Sequence, residues 1–355
     1  MPPSELSDRE RAVLEAVIQS YVETAEPAGS RTLSRRFGLG VSPATIRNTM
    51  SDLEEKGFLF HPHTSAGRIP TDRAYRLYVE TILSRPAAAV HDARRLVEHI
   101  SVGHDSAIEA ILRRAAQTLG VLTQELGVAL GPRLDHATLQ RLELVRLSAE
   151  RLLMVLSLDG GAVRTVFVEV KGEIAEEAMA AVSVVLNERL GGLTLREIRA
   201  SLGQRLRDAA PADPSSGPAR RAHELLNIFL QEGDQLFDVG APRDEDAVVL
   251  GEAAHLAEQP EFASSEGMRR LVQLSDARAH LGELLRRRSA RPGISITIGD
   301  EHEDPRLESF TVVTAEYRAG PVAGVIGVIG PTRMPYEKII SLVSHTSQIV
   351  TDLLD

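Results

Sequence analysis

The chain has 355 residues, with 50 acidic and 40 basic side chains, a formal charge of −10 and no cysteine. That balance excludes a protein that coats nucleic acid by bulk charge, so any such binding must rest on a local patch; the missing cysteine excludes disulfides, thiolate zinc sites and a cysteine nucleophile. Apolar residues make 43% and charged residues 25%, a globular balance, and the length predicts two or three domains at about 150 residues each.

In residues 8–24, Leu14, Val17, Ile18, Tyr21 and Val22 fall on one helical stripe. Glu26-Pro27-Ala28-Gly29 breaks it. Ser30 is placed to cap a second, short helix with Leu33 and Phe37 inside and Arg31 and Arg35 on the opposite face. Gly38-Leu39-Gly40-Val41 predicts a turn whose glycines can take positive φ. Ser42 is then an N-cap, and Pro43 opens a third helix that Gly57 ends. Its Ile46, Met50 and Leu53 point inward, while Ala44, Asn48 and Ser51 point outward, flanked by Thr45 and Arg47. Small and hydrogen-bonding residues on the outer N-terminal half of a helix suit a major groove, with guanine for Arg47 and adenine for Asn48. From Pro27 to Met50 there are four arginines, at 31, 35, 36 and 47, and no acid, which supplies local charge for phosphates. Phe58–Phe60 and Gly67–Ile69 predict a small hairpin with a polar tip at His61–Ala66, and Arg68 is placed to reach a minor groove or a phosphate.

Helix, helix, turn, helix, hairpin is the order of a winged helix-turn-helix, here over residues 1–84. The candidate DNA contacts are Arg31, Arg35, Arg36, Ser42, Ala44, Thr45, Arg47, Asn48 and Ser51, with His63 and Arg68 from the wing.

Arg85-Pro86-Ala87-Ala88-Ala89 gives a linker signal, and residues 91–127 read as helical. Three apolar runs, Leu139–Leu147, Leu152–Leu158 and Val163–Val170, predict an antiparallel meander. Helices follow over about Ile174–Leu190 and Leu195–Leu206, then a flexible loop over 207–222 and a short helix His223–Gln231. A strand at Val248–Leu250 and a helix Gly267–Arg288 precede strands at Ile294–Ile298, Phe310–Tyr317 and Val322–Ile329, the last two joined as a hairpin. An amphipathic helix occupies 335–354. Strands on both sides of a helical middle predict one sheet interrupted by an insertion. The expected fold is therefore α+β and multidomain: 1–84, an interrupted α/β domain of 91–174 and 246–355, and a helical insertion over 175–245.

Other motifs point to structure. Gly324, Gly327 and Gly330 lack the Gly-Lys-Ser/Thr ending of a phosphate loop and read as a strand packed tightly on a neighbour. His61-Pro62-His63 reads as turn chemistry, and GDEHEDPRLE at 299–308 as a solvated loop, since it lacks the alternating ligands of a calcium site. No serine, histidine and acid arrangement suggests an enzyme, and no metal or cofactor is expected. Neither a signal pattern nor a run of about 18 apolar residues occurs, so a cytoplasmic protein with no membrane partner is expected.

VSPATIRNTMSDLEEKGFLFHPHTSAGRIPTDRAYRLYV resembles the N-terminal signature of the heat-inducible transcription repressor family HrcA, and VTAEYRAGPVAGVIGVIGPTRMPYEKIISLVS resembles that family's ending. The resemblance runs in order along nearly the whole chain and is weakest over 200–245. It implies a winged helix, a GAF-like domain and a dimerising domain inserted into it. It also implies repression of chaperone operons of the groE and dnaK type through the inverted-repeat operator CIRCE, with activity supported by the GroEL chaperonin. One recognition helix reads too few base pairs to single out an operator, so a homodimer is expected, its contact within 175–245. The alternative is a regulator gated by a small effector in the GAF-like core. Strands 152–158 and 163–170 are mostly apolar, without a convergent polar cluster, which favours a structural core.

Overall fold

The structure, a computed structural model, describes residues 6–63, 67–85, 100, 108–132, 134, 137–159, 163–170, 172, 174–207, 217–237, 248–276, 278–289, 292–320 and 322–354. The N-terminal module consists of α1 (Asp8–Thr24), α2 (Ser30–Arg36), α3 (Pro43–Glu55), the paired strands β1 (Leu59–Phe60) and β2 (Ile69–Pro70), and α4 (Asp72–Leu83). Ser7 and Glu10 start α1 by reciprocal capping. Val13, Leu14, Val17 and Ile18 of α1 meet Leu33, Ile46, Met50 and Leu53 in a dry core. Gly29, and not Ser30, caps α2; Ser30 is its first residue and is buried. The fourth helix, which the sequence pattern does not single out, is capped by Thr71 and turns Ala74, Tyr75 and Val79 inward.

Beyond it, α5 (Ile108–Thr123) ends at Gln124, whose φ is +61°, and the chain turns at once into β3 (Leu126–Leu130). The sequence reading carries the helix to 127. Its error has a plain cause: all five residues of β3 are buried, so no alternation betrays a strand. The predicted linker at 86–89 and most of 91–107 lie outside the described residues.

The meander is present as β4 (Leu139–Arg146), β5 (Arg151–Leu158) and β6 (Val163–Glu169), followed by α6 (Glu176–Leu190), α7 (Leu195–Arg207) and α8 (Gly217–Leu236). The last helix is longer than expected, and residues 208–216 of the predicted loop lie outside the described residues. Then come β7 (Val248–Leu250), α9 (Ala254–Ala257), α10 (Ser265–Asp276), α11 (Arg278–Ser289), β8 (Ile294–Ile298), β9 (Phe310–Ala319), β10 (Val322–Pro331) and α12 (Tyr336–Leu354). The helix read over 267–288 is met by α10 and α11, on either side of residue 277, which lies outside the described residues.

Strand pairing corrects the single interrupted sheet. One sheet has the order β7-β3-β10-β9-β8, all antiparallel; the meander β4-β5-β6 is a separate sheet. The two cannot merge, because the meander's inner face is already spent. Leu142, Leu152, Met154, Leu156 and Val168 pack on α6, α7 and α8, with Leu186, Ile198, Leu225 and Phe229 completing that core. The meander thus shares one core with α6, α7 and α8, and the partner of the C-terminal strands is β3.

The five-stranded sheet is the middle of three layers. Ile326 and Val328 face α5 and α12, whereas Val325 and Ile329 face α10 and α11. A Cβ on Gly324, Gly327 or Gly330 would strike Tyr317, the Val313 carbonyl or the Glu125 carboxyl. The glycine spacing thus reflects close packing.

Candidate nucleic-acid interface

The third helix is built as its residues dictate. The Ser42 side chain accepts from the Thr45 backbone N–H at 3.1 Å and Pro43 occupies the first turn. Gly38 and Gly40 hold φ of +56° and +68°, with open space where a Cβ would sit, so the turn from α2 into α3 depends on backbone freedom. Ile46, Met50 and Leu53 are buried at 0%, 4% and 0% exposure. Burying that stripe leaves Ala44, Arg47 and Asn48 exposed and Ser51 half-exposed on one outer face. The hydroxyls of Ser42 and Thr45 lie 2.9 Å apart at its N-terminal end.

Arg31 and Arg35 are exposed on α2, and with Arg47 they make no ion pair among the described residues. Arg36 differs: it pairs with Glu23 and lies 5.5 Å from the centre of the Phe37 ring. Its charge is partly spent within the module, which the sequence could not show because Glu23 belongs to α1. His63 is exposed on the wing, while residues 64–66 of the predicted tip lie outside the described residues.

Arg68 is engaged within the module. It does not extend from the wing; its side chain is 12% exposed and its guanidinium pairs with Glu54 at 2.6 Å. Glu54 is on the last turn of α3 and also meets His61 Nδ1 at 2.9 Å. The Arg68 main chain exchanges hydrogen bonds with Ala28, at 2.8 and 3.0 Å. Gly67 comes so close to the Pro27 and Ala28 carbonyls that no Cβ would fit.

The module is fixed to the sheet domain by a polar joint that sequence reasoning missed. Arg333 grips Glu261 through two nitrogens, at 2.5 and 3.0 Å, and donates to the Val22 carbonyl at 2.7 Å. Burial opposes its charge, yet the Glu261 hydrogen bond and charge outweigh burial and raise its pKa. Arg76 grips Glu301 in the same two-nitrogen manner and donates to the Ile296 carbonyl at 2.8 Å. Burial pushes the Glu301 carboxyl up, but Arg76 and the Ile298 N–H together hold it below the ordinary range. Asp72 accepts from the Asp300 N–H at 3.1 Å, and burial raises its pKa. Tyr75 and Tyr336 pack with ring centres 5.6 Å apart. These partners are 72 to 311 residues apart in sequence, so no local pattern announces the joint.

The segment 299–308 is accordingly not a plain solvated loop. With α11 it lines a cleft of about 500 Å³ whose carboxylates are engaged: Glu301 with Arg76, Glu283 and Glu303 with Arg287, and Asp304 with Arg306. His302 is buried there beside Arg288, and burial followed by that positive charge lowers its pKa to about 4.

The family profile described as the HrcA protein C terminal domain matches residues 109–340. Over 350 residues, covering 96% of each chain, the protein is 40% identical to the heat-inducible transcription repressor HrcA of Chlorobium phaeobacteroides (strain BS1). Its identity to the repressor of the same name from Geobacter sulfurreducens is 36% over 354 residues, covering 99% of each chain. A crystal structure described as a hypothetical protein at 2.2 Å resolution aligns over 99% of both chains with a TM-score of 0.64 and 21% identity, which shows a common fold. No helix among the described residues is long and apolar enough to cross a membrane. Together with the sequence signatures at both ends, these likenesses show that the chain belongs to the HrcA family of heat-inducible transcription repressors, a family of regulators and not of enzymes.

Proposed function

We propose that residues 1–84 form a winged helix-turn-helix that reads the CIRCE inverted repeat, that two copies of the chain bind it together, and that the bound dimer represses chaperone operons in the cytoplasm. The observation that carries this reading is the outer face of α3. Ala44, Arg47, Asn48 and Ser51 face outward on α3, and Arg31 and Arg35 are exposed on α2 with no ion pair among the described residues, in a chain whose net charge is −10. Such a face offers base contacts flanked by phosphate contacts. A gel shift comparing the inverted repeat with a scrambled duplex tests it, and equal affinity for both overturns it.

The dimer contact is assigned to the inserted unit, on its meander and not within 175–245. The inner face of that sheet is buried, yet its outer face exposes apolar side chains among the Arg141–Glu143 and Arg151–Glu169 ion pairs. Val145, Leu153 and Phe167 stand opposite one another across the three strands, with Val163 nearby; Phe167 is 60% and Val163 59% exposed. Exposed apolar side chains rimmed by charged ones are the expected property of an interface. The five-stranded sheet is read as the GAF-like domain, with the inserted unit leaving it after β3.

GroEL support has a physical motive in the same architecture. Pairing Leu130 with Val325 joins residues about 200 apart in sequence, and non-local pairing of apolar strands is slow and leaves them exposed meanwhile. Operator binding after dilution from denaturant is expected to recover further with chaperonin than without it. Equal recovery would leave direct thermal melting as the better account of induction.

A further inference from the structure

The wing has little stability of its own. Its strands are two residues each, far below what an isolated hairpin needs. Its place beside α3 must therefore come from ties to the rest of the module. The base is tied to the α1–α2 turn by the Arg68–Ala28 main-chain bonds and the close approach of Gly67. Buried Leu59 and the Phe58 N–H bond to the Leu53 carbonyl, at 2.9 Å, fix the first strand at its start. Further out, the side-chain tie is Glu54, one turn beyond Ser51 on the reading helix, whose two carboxylate oxygens hold different wing residues: Oε1 meets His61 and Oε2 meets Arg68. Arg68 is the most buried of the three side chains, at 12% exposure against 32% and 33% for Glu54 and His61.

We propose that Glu54 is a positioning residue for DNA reading, which locks the wing to the recognition helix through Arg68 and His61. The inference rests on the winged-helix reading above and goes beyond it, because it moves Arg68 from the duplex to the brace and gives a role to an acid no DNA-contact pattern would select. A carboxylate this close to a reading face repels phosphate unless it is paired. Here the pairing turns that charge into a fixed distance between Arg47 and Asn48 on one element and His61 and His63 on the other.

The sign of one substitution separates this role from a merely electrostatic one. Removing an acid near DNA strengthens binding to any duplex if the acid acts through charge alone. As a brace, Glu54→Ala is expected to weaken operator binding of the full chain by about five- to tenfold, a typical coupling for groups in direct contact. Binding to a scrambled duplex stays equal or tightens slightly. Glu54→Gln keeps the shape and one hydrogen-bonding oxygen and should fall between. Arg68→Ala should weaken operator binding alike, leave the salt slope unchanged, and add little in the Glu54→Ala background. Thermal unfolding of each variant, with scrambled-duplex binding as a second reference, separates loss of the brace from loss of the fold. Operator binding by Glu54→Ala equal to or tighter than wild type overturns the proposal. So does an Arg68→Ala salt slope flatter by about one with fully additive losses, since Arg68 would then touch phosphate itself. A wild-type chain with no operator preference overturns the winged-helix reading, and the brace with it.

Discussion

Arg31, Arg35 and Arg47 stand exposed on the N-terminal module without an ion pair among the described residues, whereas Arg76 and Arg333, where that module meets the sheet domain, each hold one carboxylate through two nitrogens and reach a backbone carbonyl as well. The residue type is the same and the use is opposite. An exposed guanidinium keeps its donors and charge for a partner outside the chain; a half-buried one has given both to the fold. Arg36 and Arg68 lie between these extremes, being basic residues near the reading surface that the module has already paired with Glu23 and Glu54. Counting arginines along a segment therefore overstates the charge available to DNA, and only the paired or unpaired state sorts them.

The largest effect that can break this comparison is expected at the joint. Arg333→Ala leaves Glu261 partly buried without its partner and the Val22 carbonyl without its donor. Urea unfolding is expected to show a loss of about 2–3 kcal/mol, less than for a fully buried pair because both side chains retain some exposure. The operator selectivity of the folded molecules should persist. Unchanged stability would mean that the joint is dispensable and that the two arginine classes do not differ.

Arg47→Ala should do the reverse. We expect a loss of about 1–3 kcal/mol in discrimination between operator and scrambled duplex, with the same unfolding midpoint as wild type. Selectivity that survives the change would remove Arg47 from base reading.

Ser42→Ala tests whether the reading helix depends on its cap. Losing the bond to the Thr45 N–H should lower stability by about 1 kcal/mol, visible in thermal unfolding. The smallest effect is expected from Arg35→Ala: binding to every duplex weakens alike, and a titration across salt shows the slope flattened by about one, as loss of a single phosphate contact requires. A sequence-selective loss there would make Arg35 a base reader.

Much of the reader was legible before any coordinates. Periodicity at Leu14, Val17 and Ile18, the glycine turn before Ser42 and the Ser-Pro start of α3 are local signals, and the helices follow them to within a residue or two. The outward set on α3 was legible for the same reason, since helical geometry fixes which residues oppose Ile46, Met50 and Leu53. The hairpin was legible but its side-chain tie to α3 was not, because Glu54, His61 and Arg68 belong to three stretches whose convergence no periodicity encodes. β3 was lost because a uniformly buried strand carries no alternation, and without it the C-terminal strands had only the meander as a partner.

By itself, then, the sequence determined most of the helices (though not α4 or the end of α5), the hairpins and the face that each presents, since these follow from backbone geometry and from where apolar side chains recur. It also excluded bulk-charge binding and cysteine chemistry, which depend on composition alone. Only the tertiary structure decided which strands share a sheet, that the inserted unit carries its own sheet, and which arginines remain free. Those outcomes depend on pairings between distant residues, such as Leu130 with Val325 and Arg333 with Val22. Each pairing is chosen by competition among all the apolar faces and charges of the folded chain, and no local stretch records the result.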